Sequence, residues 1–292
     1  MRAPQNPALA ALLTIGASAL AAGSTLMAKV VGSDTLGDGL HALQVSQGRF
    51  IFGLIGISIA VLIFRPSFGK INYTHHIARA TLGWGGVTLM FAAAVYIPLS
   101  DATAISFLNP VFAMIFAIPF LGERVGKWRW IAAAISITGA IILLRPGADS
   151  LQFGALLALG AAIVLGAEVI FIKFLTRAHG PLEILMINNT IGLVISSIVA
   201  FPFWVMPSAS QWFGLAGVGF LMVSAQAFFT NAMMRADASF VTPFFYATLV
   251  FAALYDAVIF QVLPDGVSII GAATILTGAG LLAWREAARK QA

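Results

Sequence analysis

Apolar positions fall into ten runs, at about 8–31, 42–64, 80–97, 102–121, 128–144, 151–172, 184–206, 211–234, 239–263 and 266–284, separated by short stretches that hold most of the charges. Twenty residues of helix rise about 30 Å, the thickness of a bilayer's hydrocarbon core. The pattern therefore predicts ten membrane-spanning helices, with both termini on the same side. The fourth run lies in the stretch Pro98–Gly126, PLSDATAISFLNPVFAMIFAIPFLGERVG. It opens near Asp101, carries Asn109-Pro110 at its centre and closes on Leu121-Gly122-Glu123-Arg124, where charges return. A proline in mid-span frees a backbone carbonyl that lipid cannot satisfy, so a neighbouring helix or water must satisfy it.

Composition agrees with the pattern: 60% of the 292 residues are hydrophobic, 9% are charged and the mean hydropathy is +0.96. Such a chain is a polytopic membrane protein, and ten spans leave no room for a separate soluble domain. There is no cysteine, which excludes disulfides, thiol catalysis and cysteine metal sites. The net charge of +5 does not point to nucleic acid, because the basic residues lie between apolar runs and orient them. With the N-terminus inside, 13 of the 16 Lys and Arg fall at the cytoplasmic ends, among them Arg65, Lys70, Arg79, Arg124, Lys127, Arg129, Lys173, Arg177 and Arg235. Only Arg145 lies in an external loop, while Lys29 and Arg49 lie within spans and the external loops carry Asp34, Asp38, Asp101, Asp149 and Asp265. Both termini are therefore expected in the cytoplasm. Ala17-Ser18-Ala19 resembles a signal cleavage site, but the run continues to Val31, too long for a signal peptide core, so the first span is expected to be retained.

The chain also repeats itself. Residues 131–144, IAAAISITGAIILL, match 270–283, IGAATILTGAGLLA, at seven of fourteen positions with an offset of 139. At an offset of 144, Ala11-Leu12-Leu13, Gly16, Ala17 and Lys29 meet Ala155-Leu156-Leu157, Gly160, Ala161 and Lys173. Two halves of five spans each follow, 1–145 and 146–292, and an odd number of spans inverts the second half in the membrane. Inverted repeats with a site near the midplane are a recurring transporter design. The repeat does not duplicate the proline of span four: Leu249 stands at its equivalent, and span nine places Pro243 six residues earlier. The two halves are thus expected to break their helices at different depths.

Several short motifs carry a resemblance to a known family. They are Gly48-Arg49-Phe50 in span two, Asp101-Ala102 and Asn109-Pro110 in span four, Leu121-Gly122-Glu123 at its end, Thr138-Gly139 in span five, and Pro243-Phe244-Phe245-Tyr246 in span nine. Together with ten spans in two inverted halves, they make the chain resemble the drug/metabolite transporter superfamily, specifically its bacterial EamA-type exporters. The glycine–acid pair that closes span four has no acid at its repeat equivalent, Gln261-Val262. The resemblance implies an all-α basket of ten helices, two inverted EamA-type repeats around a central cavity bordered by spans three, four, eight and nine. It also implies export of amino acids or related metabolites across a bacterial inner membrane.

Polar and ionisable groups inside a membrane are costly and usually face an interior, so each is a candidate. Asn109 offers an amide beside the carbonyl that Pro110 unlocks, or forms a packing kink. Glu168, five residues before Lys173, is either a proton- or cation-coupling acid or a carboxylate reaching a basic neighbour. Asp256 either binds a substrate ammonium or snorkels outward. Arg49 is placed to meet a substrate carboxylate or a structural partner, and Lys29 is expected as an interfacial anchor. Trp84 and Tyr96 in span three, Phe244 and Tyr246 in span nine, and Gln226 in span eight stand on the cavity helices that the resemblance implies. Trp128, Trp130, Trp204, Trp212 and Trp284 fit an interfacial belt. Small residues at spacing four (Ala132, Ser136, Ala140; Thr274, Gly278) permit close contact of spans five and ten, or a dimer.

An intramembrane enzyme needs a second deep aspartate to join Tyr255-Asp256, or a buried histidine, and the four histidines (His41, His75, His76, His179) fall in or beside loops. No phosphate loop and no ring of like charges supports an ATP-driven pump or a channel. A receptor or scaffold lacks a reason for the repeat. The reading is a secondary transporter of small organic solutes, with neutral or aromatic amino acids as first choice and a multidrug or nucleoside-type metabolite as alternative. Its expected partners are the solute, a proton as candidate coupling ion, and the bilayer, as monomer or homodimer, with no cofactor, metal or nucleic acid.

Overall fold

The computed structural model describes residues 6–66, 69, 73–122, 126–144, 152–175, 179–233, 235 and 244–290. Glu123, Arg124, Arg145, Arg177, Asp149 and Pro243 lie outside these residues, as do the side chains of Arg129, Lys173 and Trp284. The helices are α1 Pro7–Gly32, α2 Ala42–Phe64, α3 Tyr73–Tyr96, α4 Leu99–Ser106, α5 Asn109–Leu121, α6 Lys127–Leu144, α7 Phe153–Leu175, α8 Pro181–Ala200, α9 Ala209–Met233, α10 Ala247–Ile259 and α11 Gly266–Lys290. Seven spans are long and apolar enough to cross a bilayer, with α4 and α5 counted as one, and α6, α10 and α11 supply three shorter apolar helices. The protein is thus a ten-span helical membrane protein.

Local chemistry sets the helix ends. The Asn6 side chain accepts the Leu9 N–H at 3.0 Å, with Pro7 in the first turn of α1. Asp265 Oδ1 accepts the Ser268 N–H at 2.8 Å to start α11. Gly122 ends α5 in the left-handed region at φ 65°, a conformation that a Cβ disfavours. The apolar run of α2 matches its helix at 42–64, whereas α3 begins at Tyr73, well before the apolar run at 80, because His75, His76 and Arg79 occupy its first two turns.

The fourth span breaks, and the break precedes the proline. The Phe107 N–H is shared between Thr103 O at 3.3 Å and Ala104 O at 3.1 Å, and Leu108 N–H reaches Ile105 O at 3.0 Å, a tightened turn that ends α4. Asn109 and Pro110 then form the first turn of α5, where a missing N–H costs nothing. The expectation of breaks at different depths is not met. Helices α5 and α10 each have 13 residues, and they restart at 109 and 247, 138 residues apart, within one residue of the repeat offset. Proline position is therefore not what sets the breaks. They meet face to face: Phe107 stacks edge-on against Tyr246, ring centroids 5.2 Å apart. The Ser18 hydroxyl on α1, 3.0 Å from Thr14 O, also lies 3.4 Å from the Phe244 carbonyl oxygen and 3.2 Å from that of Phe245, a polar neighbour for backbone that lipid could not satisfy.

Helix contacts follow a two-fold exchange. Helix α1 packs on α9 as α7 packs on α3, α10 packs on α1 as α5 packs on α7, while α2 pairs with α8 and α6 with α11. The α6–α11 contact uses the small residues. A Cβ on Gly139 would lie 2.7 Å from Gly271 O, one on Gly278 would lie 2.6 Å from Ala132 O, and Ser136 Oγ donates to Ile275 O at 3.4 Å. Gly278→Val is accordingly expected to destabilise the protein by about 1–3 kcal/mol or more, read as a lowered melting temperature and loss of the monodisperse peak in detergent. Outward faces are apolar, with Ile198 70% and Phe213 81% exposed. Trp128, Trp130 and Trp204 are exposed at helix ends, but Trp212 packs edge-on against Phe52 at 6.3 Å rather than joining a belt.

Candidate functional site

The end of the bundle that carries both termini is called the terminal face below, and the other the far face. From the far face a pocket of about 430 Å³ runs between the ends of α1, α2, α3 and α7. Tyr96 stands at its rim, 63% exposed and edge-on to Phe153 at 5.3 Å. Along α3 the pocket reaches as deep as Thr88, whose hydroxyl donates to Trp84 O at 2.7 Å and bonds Ser46 Oγ at 2.8 Å. A volume of this size suits a small organic molecule.

One turn further in, the polar groups gather. Trp84 follows Ser46 and Thr88 inward, and its Nε1 is buried without a hydrogen-bond partner among the described residues. Arg49, one turn on from Ser46 on α2, is 5% exposed, lies over the Phe50 ring at 4.5 Å and has Nε and Nη1 unpartnered. Arg79 on α3 approaches Glu168 on α7, Nε to Oε1 3.4 Å, and its Nη1 is also unpartnered. Arg49 lies within the electrostatic reach of the same carboxylate. Gly83 is small so that Glu168 fits: a Cβ there would lie 2.8 Å from Oε1. Two guanidinium groups thus share one carboxylate, with the unpartnered indole N–H of Trp84 one residue along α3 from Gly83, an arrangement with surplus donors and surplus positive charge. Buried donors of this kind are rarely left unmet in a finished core, and they fit a ligand rich in acceptors.

The other expected residues divide between this cluster and two other places. Asn109 and Pro110 are half-buried at the head of α5, and the Asn109 backbone abuts Gly166, two residues from Glu168. Phe244 and Tyr246 line the facing break of the ninth span. Gln226 is half-buried on α9. Asp256 neither snorkels nor faces open space: it is 0% exposed, with Oδ1 3.0 Å from Lys29 Nζ and Oδ2 accepting the Ser100 N–H at 2.9 Å. Lys29 is correspondingly not an interfacial anchor. It is buried, also donates to Ile97 O at 3.4 Å, and ties α1, α10 and the α3–α4 turn together near the far face. The physical reason is that a deep charge with a partner within reach pairs rather than stretching to water.

The apolar pattern predicts Arg79 as a loop charge and the histidines in or beside loops, as His41 and His179 are, but Arg79 and His76 are buried on α3. His76 is fully buried and His179 8% exposed, their rings 5.0 Å apart, with His179 Nδ1 3.0 Å from Glu183 Oε1. A basic and histidine-bearing first turn ahead of an apolar run was the available signal. Among the described residues no three acidic or histidine side chains are placed to hold a metal.

Ten spans, paired breaks and an interior charged cluster beneath a pocket define a membrane transporter of small solutes. The chain belongs to the EamA-like transporter family, which it matches twice, over residues 8–145 and 152–284. It is 30% identical to a riboflavin transporter of Vibrio cholerae over 242 residues, 82% of this chain and 81% of that one. It is 29% identical to an S-adenosylmethionine uptake transporter of Rickettsia conorii, over 84% of this chain and 83% of that one. A crystal structure 18% identical in sequence covers 97% of this chain and 99% of its own with a TM-score of 0.66, so the fold is shared.

Proposed function

We propose that this protein carries a heteroaromatic, acceptor-rich metabolite, of the riboflavin or S-adenosylmethionine kind, across the bacterial inner membrane. The observation that carries this reading is the set of unpartnered donors on Arg49 and Arg79, which share the carboxylate of Glu168, with the unpartnered Trp84 indole N–H on the same helix as Arg79. Ring carbonyls and nitrogens would accept from them, and Glu168 would take a ring or amine N–H. Trp84 and, at the rim, Tyr96 would offer aromatic surface for stacking. Asn109, Pro110, Phe244, Tyr246 and Gln226 would form the moving walls, as the two half-helix breaks swing about their contact. Both termini would face the cytoplasm, as the distribution of Lys and Arg supports, and residues 1–145 and 146–292 would be the two repeats that rock in alternating access. Direction is inward in this reading, as in the uptake transporter relative.

A second reading is export of neutral or aromatic amino acids. It is favoured by the same cluster seen as a zwitterion site, with Arg49 for a carboxylate and Glu168 for an ammonium. Counterflow in liposomes separates the two. Purified protein is expected to exchange labelled riboflavin or S-adenosylmethionine saturably, and to exchange leucine or phenylalanine no faster than empty vesicles. Exchange of amino acids alone would install the second reading, and exchange of none of these would remove both.

A further inference from the structure

A second polar cluster lies nearer the terminal face than the solute site. His76, in the first turn of α3, is 0% exposed, and neither ring nitrogen has a hydrogen-bond partner among the described residues. It packs against the His179 ring at an interplanar angle of 64°. The nearby carboxylate, Glu183 at the start of α8, is already engaged: its Oε1 accepts the Gly69 N–H at 2.8 Å and faces His179 Nδ1 at 3.0 Å. Around His76 stand His75 and Arg79 on its own helix, His179 in the α7–α8 connection, and Glu183 on α8. Arg79 is in turn held by Glu168 on α7, beside Arg49 on α2.

We propose that His76 is a proton-binding site separate from the solute site, and that its protonation opens the terminal face. Among the described residues the imidazole has no acceptor for either N–H of an imidazolium, and positive or titratable groups flank it. The packing therefore holds the neutral ring only. A proton arriving from solution onto a ring nitrogen makes a buried cation whose available counter-charge is Glu183. Both contacts of that carboxylate fall on Oε1, so turning the carboxylate toward the imidazolium weakens its hold on Gly69 and His179. The Gly69–Glu183 bond joins the α2–α3 connection to α8, so the proton exchanges a closing contact for a contact within the cluster. Imidazole is the side chain whose ordinary titration range makes such an exchange available near neutral pH. The link to coupled transport rests on the transporter reading above; the proton site itself does not depend on which solute is carried.

Because the chain has no cysteine, single thiols report the opening without solute. Leu175 is 1% exposed at the end of α7, and its carbonyl accepts the His179 N–H at 3.0 Å. Gly180 has open space where a Cβ would stand. The rate of maleimide labelling of Leu175→Cys, divided by that of Gly180→Cys to remove the intrinsic pH dependence of the thiol, is the measurement. This ratio is expected to rise about tenfold from pH 8 to pH 5.5, the range over which an accessible imidazole takes its proton. In both His76→Asn and His76→Gln backgrounds it is expected to stay flat. A rise that survives in either folded variant, or no rise in the parent Leu175→Cys protein, overturns the proposal. A failed riboflavin counterflow would bear on the solute reading alone.

Discussion

Asp256→Ala is expected to cost about 3–5 kcal/mol of stability, since it removes the counter-ion of a lysine that is only 8% exposed. Lys29 would keep only the Ile97 carbonyl at 3.4 Å and the Phe260 ring, 4.4 Å from Nζ to its centroid. The Ser100 N–H would lose its acceptor as well, at the turn where α4 begins. The sharper comparison is the double variant Lys29→Met with Asp256→Leu. It removes both charges and keeps the volume, so most of the lost stability is expected to return. Thermal unfolding in detergent of the wild type, Lys29→Met, Asp256→Leu and the double variant gives the coupling. If Asp256→Ala melts with the wild type, the buried pair is not what holds α1 to α10.

Glu168→Gln is expected to lower the apparent affinity for the transported solute by about 100-fold, within the ~2–5 kcal/mol typical of breaking one member of a buried charge pair. The amide keeps the shape of the side chain, so Gly83 and Gly166 still fit against α7. What is lost is the one carboxylate shared by Arg79 and Arg49. Two guanidinium groups would then meet the solute without compensation. Equilibrium binding of riboflavin, followed by quenching of its fluorescence, reads the affinity directly. Adding Arg79→Gln is expected to restore any lost expression but not binding. Wild-type affinity in the single variant would take Glu168 out of the solute site.

Much of the architecture was legible because apolar length is a local property. Any stretch such as Ala42–Phe64 must cross a bilayer whatever surrounds it, and its run and its helix coincide. The small residues of spans five and ten likewise announced a close contact, since Gly278 has no other reason to stand at spacing four from Thr274. The reading failed where polarity was taken to mean a loop. His75, His76 and Arg79 begin a helix whose polar face is covered by α7 and α8, and nothing in the local pattern shows that cover. For the same reason Arg79 was counted as an orienting charge and His76 as a loop residue.

Proline misled in a smaller way. Pro110 suggested a fault in the middle of a helix, and its absence at Leu249 suggested halves that break at unequal depths. In the structure Pro110 only opens α5, and the matching restart of α10 needs no proline in its first turn. There, Phe107 packs edge-on against Tyr246 and the Ser18 hydroxyl lies beside the carbonyls of Phe244 and Phe245.

The sequence by itself determined ten spans and set Lys29, Arg49, Glu168 and Asp256 within them, because a span depends on the composition of a stretch of about twenty residues. Tertiary structure alone decided what those polar residues do. Lys29 and Asp256 are 227 positions apart, yet they neutralise each other, while Arg79 and Glu168 meet beneath a pocket and His76 has no hydrogen-bond partner among the described residues. In a medium without water a charge takes whichever partner the packing brings near, and that choice is made between helices, not within them.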